Sequence, residues 1–206
     1  MLSPGRTYDE IRAAFRWDIP PRYNIGADVC DRHAAARPDS VALIFEGEDG
    51  AVEQLTFREL RAQTNRLANA LAAHGLTRGD RIGVLLQQCP EAAVAHIAAY
   101  KAGLVAVPLF VLFGEDALEY RLGNAGARAV VTDAANLPKV LAIRDRLPEL
   151  QAIIVIDGAR AGTLDYRTLL ANASDAFTPA DTLADDPAMI IYTSGTTGPP
   201  KGALHA

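Results

Sequence analysis

The chain of 206 residues is poor in the features that mark several common protein classes. Its two cysteines, Cys30 and Cys89, lie in no metal-binding or redox motif, which excludes a disulfide framework and suits structural thiols in a reducing compartment. The longest apolar stretch, residues 102–113, is interrupted by Pro108 and is shorter than the roughly 20 residues that a membrane span requires. Residues 1–10 lack the apolar segment of a secretory signal, so the cytoplasm is the expected location.

An excess of positive charge is also missing. The formal net charge is -5, the sequence pI is about 5.4, and the arginines are scattered among acidic residues. Nucleic acid is therefore not an expected partner, because nothing in the chain attracts a phosphate backbone at long range. Hydrophobic residues make up 50% of the chain, and its length allows one sizeable core, so a globular protein is predicted.

Aliphatic or β-branched runs alternate with helix-like segments along most of the sequence. The runs predict strands at residues 41–45, 81–86, 104–107, 128–132, 152–156 and 188–192. The segments between them predict helices at residues 90–101, 115–123, 137–146 and 164–171. Several strands are apolar at consecutive positions, as expected of strands covered on both faces. The pattern therefore predicts an α/β fold with a mostly parallel sheet flanked by helices.

Two T-x-x-E sequences, Thr7 with Glu10 and Thr56 with Glu59, predict helix N-termini at which hydroxyl and carboxylate satisfy unpaired N–H groups. Leucines at helical spacing support the second helix, and Gly75 can end it in the left-handed conformation. The first helix carries aromatic residues nearby and is expected to fold back over its own domain.

An early hairpin is predicted, in which residues 41–45 pair with residues 52–56. We expect a helical N-terminal segment, an α/β core, a solvated acidic connector, and a last strand with its loop, at residues 1–36, 37–174, 175–187 and 188–206. No metal site is predicted, and His33, His74 and His96 are interpreted as structural or surface residues. Lys101 interrupts an apolar stretch and is expected to reach water from a helix end.

The sequence IIYTSGTTGPPKGALHA, residues 190–206, contains the residues best suited to bind a ligand. Glycines let an anion approach backbone N–H groups, hydroxyls add neutral donors, and a lysine supplies a compact positive charge. These properties predict a polyphosphate-binding loop formed by Thr193, Ser194, Gly195, Thr196, Thr197, Gly198 and Lys201. It is not a Walker loop, because two prolines separate Gly198 from Lys201 and no Ser or Thr follows the lysine; the dinucleotide fingerprint is also absent.

The stretch YTSGTTGPPKG resembles the phosphate loop of the adenylate-forming enzymes, the AMP-dependent synthetase and ligase family. The stretches LTFRELRAQTNRLANAL, GDRIGVLLQQCPEAAVAHIAAYKAGLVAVPL and NAGARAVVTD are similar to the N-terminal region of that family. RYNIGADVCDRHA and PLFVLFGEDALEYRL most resemble acyl-CoA synthetases of the acetyl- and medium-chain kind.

The resemblance implies a ligase that joins a carboxylic acid to coenzyme A with ATP and magnesium, releasing AMP and pyrophosphate. It implies that the seven loop residues steady the β- and γ-phosphates, and that His205 lies near the floor of the active site. No catalytic residue of this chain is carried over.

Relatives continue for hundreds of residues, so the resemblance implies that residues 1–206 are the N-terminal portion of the large ATP/AMP-binding domain. The rest of that domain and a small mobile domain are then absent, and the piece is expected to be inactive alone. The expected acid is acetate or another short- or medium-chain acid, and the partners are small molecules. Two alternatives stay open: an inert folding or interaction fragment, and another adenylate-forming branch, such as an aryl-CoA ligase or a peptide-synthetase adenylation domain.

Overall fold

The computed structural model describes residues 5–194 and 198–206. The α-helices in these ranges are α1 Tyr8–Ala14, α2 Arg32–Ala36, α3 Phe57–Ala73, α4 Pro90–Lys101, α5 Glu115–Ala125, α6 Leu137–Ile143 and α7 Tyr166–Asn172. A π-helical turn, Ala27–Asp31, precedes α2, and a 3₁₀ turn, Arg144–Arg146, follows α6. The strands are β1 Val41–Glu46, β2 Val52–Thr56, β3 Arg81–Leu85, β4 Val105–Pro108, β5 Ala127–Thr132, β6 Ala152–Val155, β7 Leu164–Asp165, β8 Met189–Thr193 and β9 Lys201–His205.

Seven strands form one sheet in the order β7-β6-β5-β3-β4-β8-β9. All neighbouring pairs are parallel except β8 and β9, which are antiparallel. The remaining strands, β1 and β2, form a separate antiparallel hairpin, as the sequence predicts. The expectation of an α/β fold with a mostly parallel sheet flanked by helices is confirmed. None of the helices in the described ranges is both long and apolar enough to cross a membrane.

Strands β3, β4, β5 and β6 are covered on both faces, which explains why they are apolar at consecutive positions. Along β3, Ile82 and Val84 join the core that packs against α3 and α4, whereas Leu85 joins the core against α5 and α6. Along β5, Val130 and Val131 divide between the two faces in the same way. Side chains that alternate along each strand therefore contribute to two apolar cores, one on each face of the sheet. Packing on both faces fixes the positions of the strand ends.

Two short strands were not predicted from the sequence. The predicted helix at residues 164–171 begins instead with the two residues of β7, and α7 follows because the Asp165 carboxylate caps it by accepting from the Thr168 N–H at 2.8 Å. β9 is fully exposed, contains Gly202 and has no β-branched residue, so it lacks the composition that marks a strand.

Both predicted helix starts are present, but the two helices differ in what they pack against. Thr56 caps α3 in a reciprocal capping box with Glu59, and Gly75 follows the helix with φ of 84°. Thr7 caps α1 by accepting from the Glu10 N–H, yet no residue of α1 is buried. The expectation that the first helix folds back over the core is therefore wrong.

Lys101 corrects another expectation, because its side chain is fully buried instead of reaching water. The ammonium donates to the Asp31 carboxylate at 2.7 Å and to the Thr64 hydroxyl and Asn65 amide oxygen at 2.8 Å each. Three elements, the π-helical turn, α3 and α4, thus converge on one charge. A lysine with three hydrogen-bond acceptors is fully satisfied, so the core can hold it.

Residues 175–187 contain neither helix nor regular strand, but they are fastened to the body of the protein. Arg22 pairs with Asp181, and Arg78 pairs with Asp186. Asn65 of α3 donates to the Asp175 carbonyl at 2.8 Å. The acidic segment is therefore held by cations and amides supplied from elsewhere in the chain, which its own composition does not reveal. The proposed division of the chain into segments stays a prediction.

Candidate phosphate-binding site

The predicted phosphate loop joins β8 to β9 at the carboxyl edge of the parallel sheet. Ligands of open α/β sheets bind at this edge, beyond the strand ends. Thr193 and Ser194 lie exposed where β8 ends, and Gly198 and Lys201 lie exposed on the returning side. The structure therefore brings both described sides of the loop to the place where a ligand is expected. Three further predicted residues lie outside the described ranges: Gly195, Thr196 and Thr197.

Thr193 and Lys201 are direct partners in the register of the hairpin. Side chains that face each other across antiparallel strands project to the same face, with Cβ atoms about 4.5–5.5 Å apart. Lys201 forms no salt bridge with any residue in the described part of the chain. Its ammonium is therefore free to meet an anion beside the threonine hydroxyl.

This hairpin requires glycine at two positions, one for its backbone conformation and one for space. Gly198 has φ of 112°, a conformation that other residues rarely adopt. Gly202 has no such strain, but a Cβ atom there would lie 2.8 Å from Ile190 Cγ2 and 3.2 Å from the Tyr192 ring. Glycine at position 202 thus lets the Tyr192 ring lie across β9.

Helix α5 contacts the hairpin on both sides of the loop. The Tyr192 hydroxyl donates to the Asn124 side-chain oxygen at 2.7 Å, and the Tyr120 hydroxyl donates to the Pro200 carbonyl at 3.0 Å. Burial, with a smaller contribution from Tyr120, raises the pKa of Tyr192, so its hydroxyl stays protonated and able to donate at neutral pH. Sequence reasoning missed these residues, because helical spacing places Tyr120 and Asn124 on one face but does not show which strand that face meets.

His205 lies at the opposite end of the hairpin from the loop. It pairs with Met189, four positions from the pair formed by Thr193 and Lys201. At about 3.3 Å per residue the two pairs are separated by roughly 13 Å along the strands. The structure does not bring His205 together with the loop residues, and its role near the active-site floor stays a prediction.

A pocket of about 610 Å³ opens beside β8 at the same edge of the sheet. Its walls come from the β1 strand, the ends of β3 and β4, helix α4 and β8, and include Phe45, Leu86, His96, Phe110, Phe113 and Tyr192. The lining is mainly apolar, and the rings of Phe110 and Phe113 pack edge to face with centroids 5.9 Å apart. The arrangement suits an apolar group better than a charged one.

The titratable groups of the pocket are kept neutral by their surroundings. Burial lowers the pKa of His96, which favours the uncharged imidazole. Burial also raises the pKa of the Cys89 thiol to about 11, so at neutral pH it is not a thiolate nucleophile. Neither side chain is therefore prepared for acid–base or nucleophilic work at neutral pH.

The described residues contain no group of three or more His, Cys, Asp or Glu side chains that could hold a metal ion. The described loop residues offer hydroxyls and an ammonium group, which can donate hydrogen bonds to phosphate oxygens. Chemically, the site can hold an anion with several oxygens and stabilise negative charge on it.

Comparison with known proteins gives consistent results. Residues 30–206 match the AMP-binding family, described as AMP-binding enzyme. The chain is 34% identical to acetyl-coenzyme A synthetase of Syntrophus aciditrophicus over 209 residues, which is 92% of this chain and 32% of that protein. It is 35% identical to acetyl-coenzyme A synthetase 2 of Pseudomonas putida over 210 residues, again 92% and 32%. The chain thus spans about a third of the length of the curated relatives it matches.

Solved structures share the fold. An acyl-CoA synthetase from Brucella canis superposes with a TM-score of 0.85 at 31% identity, covering 96% of this chain and 37% of that one. The anthranilate CoA ligase AuaEII in complex with anthranoyl-AMP superposes with the same TM-score at 30% identity, covering 92% and 36%.

Proposed function

Because this chain belongs to the AMP-binding enzyme family, we propose that it forms the N-terminal portion of an AMP-forming acyl-CoA synthetase. The single observation that carries the proposal is the hairpin at the carboxyl edge of the sheet, where Thr193 and Lys201 are cross-strand partners. The proposed location is the cytoplasm, and the proposed substrates of the complete protein are ATP, a carboxylic acid and coenzyme A.

The proposed reaction has two steps. The acid's carboxylate oxygen bonds to the α-phosphorus of ATP while the bond to the bridging oxygen breaks, giving acyl-adenylate and pyrophosphate. The thiol of coenzyme A then attacks the acyl carbonyl, loses its proton to solvent or a base, and displaces AMP. The loop residues that we assign to phosphate binding act in the first step.

The hairpin stabilises the leaving group of that first step. Negative charge builds on the β- and γ-phosphates as pyrophosphate departs, and fixed donors aimed at those oxygens lower the barrier. The hydroxyls of Thr193 and Ser194 and the ammonium of Lys201 are the described donors, and Gly198 lets the phosphates approach the backbone. Magnesium is proposed to enter as the ion carried by ATP.

The proposed acid is acetate or another short- or medium-chain acid. The names of the acetyl-coenzyme A synthetases among the relatives support this class. An aromatic acid is the second candidate, because the structural neighbour AuaEII is an anthranilate CoA ligase bound to an aroyl-adenylate. The chain covers about a third of its relatives' length, and we propose that these 206 residues are inactive alone.

The test is acid-dependent exchange of labelled pyrophosphate into ATP by the complete protein that contains this chain. Acetate, butyrate, octanoate and anthranilate are compared, and one of the aliphatic acids should support the fastest exchange. Lys201→Ala should slow exchange by about 10- to 100-fold, consistent with roughly 1–3 kcal/mol for a charge-assisted hydrogen bond, with little change in the KM for the acid. Exchange by the isolated 206 residues should be undetectable.

The matched control is Arg167→Ala. It removes an exposed cation on α7, next to the edge strand β7, which lies on the far side of the sheet from β8 and β9. This variant should exchange at the wild-type rate. Equal rates for Lys201→Ala and the wild type would reject the role of the lysine. Exchange by the isolated chain above the level of its own Lys201→Ala variant would reject the claim that the chain lacks essential parts.

A further inference from the structure

Helix α5 forms a hydrogen bond next to each end of the phosphate loop. Tyr192 immediately precedes the loop residue Thr193, and Pro200 immediately precedes Lys201. The first end is held to Asn124 by a hydrogen bond of 2.7 Å, and the second is held to Tyr120 by one of 3.0 Å. Each hydrogen bond therefore lies one residue from a side chain that we assign to phosphate binding.

The two helix residues are four positions apart, so they lie on one face of α5. The rings of Tyr120 and Tyr192 also pack edge to face, with centroids 6.4 Å apart and planes at 78°. The contacts thus form one continuous surface between helix and hairpin.

The helix that makes these contacts is itself firmly held. Leu118 and Leu122 are buried in the core beneath the sheet. The Arg121 side chain is nearly buried as well, with its guanidinium carbon 4.0 Å from the centre of the Phe113 ring and 5.9 Å from that of Tyr192. A helix anchored in this way can serve as a rigid support for a loop that leads from β8 to the exposed edge strand β9.

The far end of the loop is stiff in its own right. Pro199 and Pro200 have restricted φ angles and lack N–H groups, so the rotation of the peptide between Pro200 and Lys201 is the main freedom left there. The Tyr120 hydroxyl bonds to the carbonyl of that peptide and fixes its plane. The direction in which Lys201 leaves the loop is thereby set by a helix residue.

We propose that Tyr120 and Asn124 are positioning residues for nucleotide activation: they clamp the two ends of the phosphate loop and hold Lys201 opposite Thr193. The inference rests on the proposed function, because the value of the clamp lies in aiming donors at the departing pyrophosphate. Catalysis by fixed donors depends on their placement before the reaction, so a loosened clamp slows adenylation. Neither Tyr120 nor Asn124 lines the apolar pocket beside β8, so we expect the KM for the acid to stay unchanged.

The test compares conservative substitutions in the complete protein. Tyr120→Phe removes one hydroxyl, and Asn124→Leu removes the acceptor at similar size. Each should lower the rate constant for pyrophosphate exchange about three- to tenfold, the effect of one hydrogen bond, without raising the KM for the acid. Asn124→Asp keeps an oxygen acceptor and should restore the wild-type rate. The matched control is Tyr166→Phe, because the buried Tyr166 hydroxyl has no partner among the described residues.

A second measurement does not depend on activity. Hydrogen exchange followed by mass spectrometry should show faster exchange of the β9 amides in Tyr120→Phe and Asn124→Leu, and no change in Tyr166→Phe. Unchanged exchange in both clamp variants would reject the clamp as a structural device. Faster amide exchange with an unchanged rate of pyrophosphate exchange would reject its positioning role.

The two proposals fail in different ways. A wild-type protein that exchanges pyrophosphate with none of the acids overturns the proposed function. Hydrogen exchange of the β9 amides then still tests whether the clamp holds the hairpin. An active wild type whose clamp variants match it in both measurements overturns the clamp and leaves the proposed function standing.

Discussion

At the scale of single residues, Lys101 decides how the core around α4 is organised. Its ammonium is fully buried and is held by Asp31, Thr64 and Asn65. A buried charge is tolerated when its partners are in place, and removing one partner leaves the other charge without compensation. The cluster is therefore a point at which a small change has a large effect.

We expect Lys101→Met to lower the free energy of unfolding by about 3–5 kcal/mol, because Asp31 loses its closest cation in a mostly buried site. Urea denaturation of the chain measures the change. The matched control, Lys201→Met, alters an exposed lysine and should change the free energy by less than about 0.5 kcal/mol. The double variant Lys101→Met with Asp31→Asn should recover part of the loss. A Lys101→Met variant as stable as the control would contradict the role of the cluster.

His96 makes stability depend on pH in a direction that the structure fixes. Burial lowers the pKa of His96, so the unfolded chain takes up the proton more readily than the folded chain. The contribution of this residue to stability is therefore complete above about pH 6.5, the ordinary pKa of histidine, and is lost as the pH falls below it. Urea denaturation between pH 8 and pH 5 should show a steeper acid-side loss for the wild type than for His96→Gln. Equal slopes would show that His96 is not buried as described.

At the scale of elements, the same capping motif serves two helices with different consequences. Thr56 begins α3, which buries Leu60, Leu67 and Leu71 in the core, whereas Thr7 begins α1, which buries nothing. We expect Thr56→Ala to lower the free energy of unfolding by about 1 kcal/mol through loss of the cap. Thr7→Ala, the matched control, should change it by less than about 0.5 kcal/mol, because α1 can fray without exposing the core. Equal losses in a urea titration would contradict this difference.

The elements also show how much the sequence can predict. Apolar periodicity and T-x-x-E capping identified the long helices and the buried strands, because local chemistry determines them. β9 escaped prediction, because its strand conformation comes from pairing with β8 and not from its own exposed residues. Lys101 was misassigned for a related reason: its partner Asp31 is 70 positions away, and sequence alone gives no sign that the two meet.

The residues of the candidate site also differ in whether the sequence alone could identify them. Thr193, Ser194, Gly198 and Lys201 could be chosen from residue types and spacing, and the structure places them at the carboxyl edge of the sheet. Tyr120 could not be identified in this way, because the sequence around a tyrosine on a helix does not show which distant residue it contacts. The contacts that position a loop are long-range, so they appear only when the fold is known.

At the scale of the whole molecule, the sheet gathers the features of the site at one edge. The carboxyl ends of β3, β4 and β8 lie there, and the apolar pocket opens beside them. The hairpin of β8 and β9 lies next to these strand ends. The edge strand on the far side of the sheet, β7, carries none of the predicted site residues that the structure describes. This asymmetry agrees with the general placement of ligands in open α/β sheets.

The central claim is that the hairpin formed by β8 and β9 grips the β- and γ-phosphates of a nucleotide. The most direct measurement is a crystal structure of the complete protein with a non-hydrolysable ATP analogue. We predict phosphate oxygens within hydrogen-bond distance of the Thr193 and Ser194 hydroxyls and the Lys201 ammonium, with α5 still bound to both ends of the loop. A triphosphate bound elsewhere, with the hairpin free of contacts to it, would contradict the claim.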